Sequence, residues 1–321
     1  MKTLRSNREA LGIVFLSIVV AIAGIVWFGE KSHTLVITSE TIPVLVAHEH
    51  KDLDSIIDLH HGEVVGFESG TVVLDRDVWI NGFKWEVENA PIETLHHFIF
   101  TRADKPAVLC PNGFSANEEI LVMGSDTFVN EFNFPPEYGI FLPKGTPLEL
   151  SAVLHNPLPP FGPGGTYENV RLKLTLLLND PGKTYNHVRL VRLSAEDPAC
   201  TPRSSTFNVP ANTENFLKKI DSPISSYTFE KDSQLLLVGA HAHGWDGAGP
   251  IRVYLNDELL YEFTPQRVNE NPWSWATPSR LVSKAVKKGD TISLTSTYSN
   301  PHDKPLINEA MGMIMIAFSE E

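Results

Sequence analysis

Histidine is the residue type whose spacing carries the most chemistry in this chain. Twelve occur, and they include the close pairs His48/His50, His60/His61, His96/His97 and His241/His243. His241-Ala242-His243 ends the apolar run QLLLVGA. On a strand, residues two apart share a face with Cα atoms about 6.5–7 Å apart, so two imidazoles at that spacing can converge on one ion. Gly244 follows and lets the backbone turn where a strand passes into a functional loop. Two ordinary surface or core histidines are the competing reading. A third ligand is offered by the final run EAMGMIMIAF, where Met311, Met313 and Met315 alternate and so share one face. Thioether sulfur suits Cu(I), and imidazole accepts both copper oxidation states, so two imidazoles with a thioether point to copper rather than zinc or calcium. Core packing is the competing role for methionines in such a strand.

His96-His97, in ETLHHFIF, sets a geometric problem. Neighbours on a regular strand face opposite ways, so both can reach one metal only at a strand end or an irregularity. The preceding ENAPIE supplies an interruption, and His155, closing LELSAVLH, is the candidate third ligand. Three imidazoles suit copper or zinc. The pairs His48/His50 and His60/His61 are within reach of each other on a predicted short helix, but read better as solvated histidines.

The elements that must hold these groups are strands. With 23 Pro and 21 Gly in 321 residues, turns are frequent and long helices are not expected. Short β-like runs follow one another: TVVLDRDVWI, FKWEVENAP, LHHFIFTR, EEILVMG, PLELSAVLHNP and VRLKLTLLL, then HVRLVRLSA, QLLLVGAHAHG, PIRVYLNDELLYEF, TISLTSTYS and GMIMIAF. No helical periodicity separates them. The expected fold class is therefore all-β, with antiparallel sandwiches or jelly rolls. The NDE turn at 256–258 predicts a hairpin, and HNPLPPFGPGGTYEN, with its many prolines and glycines, is a loop. Residues 71–190 and 191–321 form two expected β-domains, and 31–70 an expected juxtamembrane linker that opens on a short β-like run, HTLVIT.

Residues 1–30 set the expected address. The run Leu11–Phe28 carries no charge and Lys2, Arg5 and Arg8 precede it. At about 1.5 Å per residue it covers roughly 27 Å, close to a bilayer core. The basic flank holds the N-terminus in the cytoplasm and sends the body across as a single-pass, membrane-anchored periplasmic or extracellular protein. A cleaved signal peptide is the alternative, but WFGEKSH offers no small-x-small cleavage site. The formal charge of −13, with the basic residues scattered, argues against nucleic acid. Outside the cytoplasm Cys110 and Cys200 can pair and close a loop of about 90 residues, or stay as two buried thiols.

Taken in order, His-His, a lone His ending a strand, His-x-His-Gly and a Met near the C-terminus resemble the copper type II, ascorbate-dependent monooxygenases, the family of peptidylglycine α-hydroxylating and dopamine β-monooxygenases. The matching segments are VENAPIETLHHFIF, LSAVLHNP, VGAHAHGWDG and NEAMGMIMIAF, so the likeness covers roughly residues 75–320. It implies a pair of jelly-roll-like domains with one copper ion each. His96, His97 and His155 would form the electron-transfer site, and His241, His243 and Met311 the oxygen-binding, hydroxylating site, with Met313 as an alternative sulfur ligand. Ascorbate or another reductant would supply electrons, and a small organic substrate would be hydroxylated with O2. A non-catalytic copper-binding or copper-trafficking protein is the alternative function. The chain also departs from the family. The peptide hydroxylases carry a substrate-binding arginine two residues before the H-x-H, where this chain has Gly239. Their Asn and Tyr after the Met ligand align with Met313 and Met315. Trp245, Trp273 and Trp275 are expected either to line a substrate cleft or to pack in the core.

Overall fold

The structure, a computed structural model, describes residues 34–39, 41–46, 65–68, 71–106, 118–124, 130–154, 156, 159, 163–195, 207–218, 224–243, 247–267, 275–276 and 280–320. The expected membrane segment, His48, His50, His60, His61, both cysteines, His155, Trp245 and Trp273 lie outside these residues. Among the described residues no helix is long and apolar enough to cross a membrane.

The first half contains β1 (Thr34–Thr38), β2 (Ile42–Val46), β3 (Val65–Glu68), β4 (Val72–Val73), β5 (Val78–Glu88) and β6 (Leu95–Pro106). It continues with β7 (Glu118–Gly124), β8 (Glu131–Asn133), β9 (Tyr138–Leu142), β10 (Pro147–Leu154) and β11 (Thr166–Leu178). The second half opens with β12 (Asn186–Ser194), β13 (Phe207–Val209), β14 (Thr213–Lys218), β15 (Ser226–Thr228) and β16 (Ser233–His243). Then come β17 (Ala248–Leu255), β18 (Glu258–Phe263), β19 (Gln266–Arg267), β20 (Trp275–Ala276), β21 (Arg280–Val286), β22 (Thr291–Asn300) and β23 (Leu306–Glu320). The described residues are all-β apart from one short 3₁₀ turn, as the alternating runs require.

Period-two burial explains why these segments pair. PLELSAVL in β10 alternates half-buried and buried residues without a break, because each inward Leu or Ala removes apolar surface from water while the outward residues do not. One core lies between the sheet β1-β11-β5-β9 and the sheet β3-β10-β6-β7, with Phe83, Phe98, Phe100 and Leu150 fully buried. A second lies between β12-β23-β16-β21 and β14-β22-β17-β18, around Leu235, Ile251, Tyr298 and Ile314. Burying one such side chain contributes about 1.5–3 kcal/mol. The predicted hairpin is present: Asn256 and Asp257 take positive φ, and Leu255 pairs with Glu258 across a two-residue turn.

Two expectations need correction. The stretch 31–70, expected as a linker, contributes β1 and β2, which pair with β11, and β3, which pairs with β10. Leu35 and Ile37 point inward from TLVIT and are buried, which is why this segment joins the body. The two halves also share a sheet rather than meeting as separate sandwiches. β12 pairs in parallel with β9, at Asn186↔Tyr138 and His187↔Gly139, and antiparallel with β23, so eleven strands form one continuous sheet. The Phe141 N–H donates to His187 Nδ1 at 3.0 Å across that seam.

This continuity fixes which face of the second half meets the first. On β12, Val191 and Leu193 enter the second core, whereas Val188 and Leu190 belong to the first. On β23, Ile314, Ile316 and Phe318 face the second core, while Ala317 and Met315 pack against the first. One face of β12-β23-β16 is therefore turned toward the N-terminal half.

Candidate metal centre

The register of β16 on β23 brings the C-terminal candidate ligands together. His241 lies opposite Met313 and His243 opposite Met311. Directly opposed residues of an antiparallel pair share a face, with Cβ atoms about 4.5–5.5 Å apart. All four positions fall on the face away from the second core, since Ala242, between the two histidines, and Ile314, directly after Met313, face into it. The sequence suggested Met311 or Met313 as the sulfur ligand, and the pairing sets one methionine against each histidine.

Local chemistry holds this arrangement. Met311 and Met313 are 7% and 5% exposed, so both thioethers sit away from bulk water. Gly312, between them, passes over β22, where a Cβ would come 2.3 Å from Ser296 Oγ and 2.4 Å from its Cβ. The two strands can approach this closely only because that position lacks a side chain. The buried Tyr298 hydroxyl accepts from the Met311 N–H at 3.0 Å and donates to the Met311 carbonyl, clamping the backbone of one candidate ligand. His241 keeps a partly exposed edge, yet burial pushes its pKa down to about 4. It is therefore neutral at physiological pH, the protonation state in which imidazole binds metal.

At the N-terminal candidate site, the irregularity required by His96-His97 is present. β10 pairs Leu154 with Leu95 but Val153 with His97, so His96 is the extra residue of a bulge. The two rings lie 4.8 Å apart between centroids and are tilted at 62°, where a regular strand would have sent them to opposite faces. The 3₁₀ turn Ile92–Thr94, entered through Pro91, brings the chain into that bulge. The third candidate, His155, directly follows Leu154 in the sequence and lies outside the described residues. Of the Trp candidates, Trp275 is described only as part of the short β19–β20 pair.

Among the described residues no three His, Cys, Asp or Glu side chains form a metal-binding group. What they bring together is an imidazole pair in the first half, and in the second an imidazole with two thioethers on one face. The donor chemistry of the second set, neutral nitrogen plus soft sulfur, fits copper.

Two further side chains share the face of His241 and Met313, and sequence reading did not single them out. Ser194 of β12 lies opposite Met313, and Arg192 opposite Met315, with Gly239 on the far side of that methionine. One row is thus Ser194–Met313–His241 and the next Arg192–Met315–Gly239. The signal was present in HVRLVRLS: Val188, Leu190, Arg192 and Ser194 share a face, and its inward pattern turns polar at Arg192.

No family model and no curated protein sequence matches this chain. Among solved structures, it is similar to PNGase F, a glycosylasparaginase from Flavobacterium meningosepticum, with a TM-score of 0.42 and 10% identity over 90% of this chain and 96% of that one. It is also similar to PNGF-II, with a TM-score of 0.37 and 12% identity over 89% and 65%. The major capsid protein P2 of bacteriophage PM2 gives 0.34 and 5% over 89% and 97%. Likenesses at this level carry no statement about activity.

Proposed function

We propose that this chain is a copper-dependent monooxygenase that hydroxylates a C–H bond of a small organic substrate through two unlike metal centres. His241 and His243 would hold one ion with Met311 or Met313, and His96, His97 and His155 would hold the other. The observation that supports this most directly is the pairing of His241 with Met313 and His243 with Met311 on one face. Copper bound at these positions would supply one-electron redox chemistry and O2 activation, with ascorbate or another small reductant as electron donor. The chain's own part is to keep His241 neutral, to present sulfur from a strand clamped by Tyr298, and to hold these donors on the face of β12-β23-β16 turned toward the N-terminal half. The run Leu11–Phe28 is proposed to tether the body outside the cytoplasm.

The test is copper titration of the full chain followed by O2 uptake with ascorbate. The expected result is two tightly bound copper ions, one of them lost in His241→Ala, and O2 consumption that depends on an added substrate. Tight copper without substrate-dependent uptake over a broad panel would identify a copper carrier instead, and no tight copper would overturn both readings.

A further inference from the structure

On the face that carries His241 and Met313, β12 adds two groups that no interaction among the described residues uses. Ser194 is 1% exposed, and its Oγ has no hydrogen-bond partner. Its backbone N–H is satisfied by the Ile224 carbonyl at 2.8 Å, so only the side chain is left over. A buried hydroxyl without a partner destabilises the fold, and such a group in a native structure calls for an explanation. Arg192 is the second. It is half-buried, and no carboxylate among the described residues bonds or pairs with it. Other described arginines are matched: Arg102 with Asp104, Arg171 with Glu88, Arg189 with Glu320 and Arg252 with Glu262. Arg280 lies over the Tyr261 and Phe263 rings. In a protein of formal charge −13, a half-buried arginine without a carboxylate partner among the described residues is out of pattern.

Both groups fall in the same place. Residues 192 and 194 are two apart on one strand, so they share a face with Cα atoms about 6.5–7 Å apart. An arginine side chain easily spans that distance. Across β23, Ser194 is in line with Met313 and His241, and Arg192 with Met315 and Gly239. Since neighbouring strands are about 4.8 Å apart, Ser194 lies roughly 10 Å from His241 between Cα atoms. Gly239 contributes no side chain to its row, and Met313 and Met315 stand between β12 and β16 with apolar side chains.

We infer that Arg192 and Ser194 form an anion subsite beside the His241/Met313 pair, which takes the carboxylate of an otherwise apolar, singly charged substrate. One planar guanidinium fork matches one carboxylate, and the serine hydroxyl supplies a further donor to the same oxygens. A multiply charged phosphate would call for more cationic groups than Arg192, the one set on this face by the pairing of β12, β23 and β16 among the described residues. The assignment of the subsite to a substrate rests on the monooxygenase reading. The anion binding itself does not, which allows the two to fail separately.

Calorimetry on the full chain tests it, with hexanoate against hexanamide as probes that share a tail and differ in charge. The expected result is that hexanoate binds at least ten-fold more tightly than hexanamide, and that the preference disappears in Arg192→Gln and is partly kept in Arg192→Lys. Ser194→Ala should weaken hexanoate while leaving the melting temperature unchanged or raised, because it removes an unpaired buried hydroxyl. Copper stoichiometry should be unaffected in all three variants. Equal binding of the two probes by the wild type, or no binding of either, overturns the subsite without reference to any variant. A carboxylate preference that Arg192→Gln leaves intact overturns the assignment to Arg192. If hexanoate binds as expected while copper does not, the subsite stands and the metal reading falls.

Discussion

Replacing Gly312 by alanine tests the close approach on which the Met311/Met313 arrangement depends. Gly312 does not need a left-handed backbone, so alanine is conformationally acceptable there, and relief from glycine's entropy cost would stabilise the strand by about 0.5–1 kcal/mol. Against this stands the contact with Ser296, whose Oγ and Cβ would lie 2.3 and 2.4 Å from the new methyl group. Ser296 is fully buried, so it cannot swing into solvent, and the new methyl group would also lie 3.7 Å from Ala195 Cβ, in van der Waals contact. Overpacking of this kind costs about 1–3 kcal/mol, and two sub-van der Waals contacts to a fixed residue put it near the upper end. The net expectation is a loss of about 2–2.5 kcal/mol. It is measured as a shift of the urea midpoint at unchanged m-value. The loss should come with weaker copper binding, since β23 moves away from β22 and carries Met311 and Met313 with it. Ser296→Gly in the same chain removes both obstructing atoms and should recover most of the lost stability. A Gly312→Ala protein within about 0.5 kcal/mol of wild type would refute the packing argument, as would a double variant no more stable than the single one.

Two other perturbations probe the same region. His241 stays neutral in the fold down to about pH 4, whereas in the unfolded chain it takes up a proton near its ordinary pKa of 6.5. The unfolded state therefore binds more protons between these values. Its contribution is fully present above pH 6.5 and lost as pH falls toward 4, by at most roughly 3 kcal/mol. Urea midpoints of metal-free protein from pH 7.5 to 4.5 should show this slope, and His241→Gln should flatten it; an unchanged slope would show that burial does not hold the imidazole neutral. Tyr298→Phe keeps the ring but leaves the Met311 N–H and carbonyl without the hydroxyl that serves both. The expected cost is about 1–3 kcal/mol, together with a changed sulfur signature in X-ray absorption of the copper-loaded chain; an unchanged sulfur signature would show that the clamp does not position the methionine.

Much of the fold and part of the site were legible from the chain because strand periodicity is local. Alternation in PLELSAVL, VRLKLTLLL and TISLTSTYS declares strands, and Asn256-Asp257 declares the turn of a hairpin, since each signal is decided by a residue and its near neighbours. His241-Ala242-His243 and the alternating methionines announce themselves in the same way. The sequence also showed that His96-His97 required an irregularity, which the missing partner of His96 on β10 supplies.

What the sequence by itself could not decide is which strand lies beside which, and in what register. A shift of one residue between β16 and β23 would turn His241 and Met313 to opposite faces, and nothing within either strand forbids it. The pairing is settled by the surrounding packing, with Ile314, Ile316 and Phe318 committed to one core and Met315 and Ala317 to the other. The membership of β1 and β2 in the first sheet, and the parallel seam of β9 with β12, depend likewise on contacts between residues far apart in the chain. For the same reason Arg192 and Ser194 passed unnoticed. In the sequence they are two polar residues near a strand end, and only the alignment of β12, β23 and β16 sets them on the face of His241 and Met313.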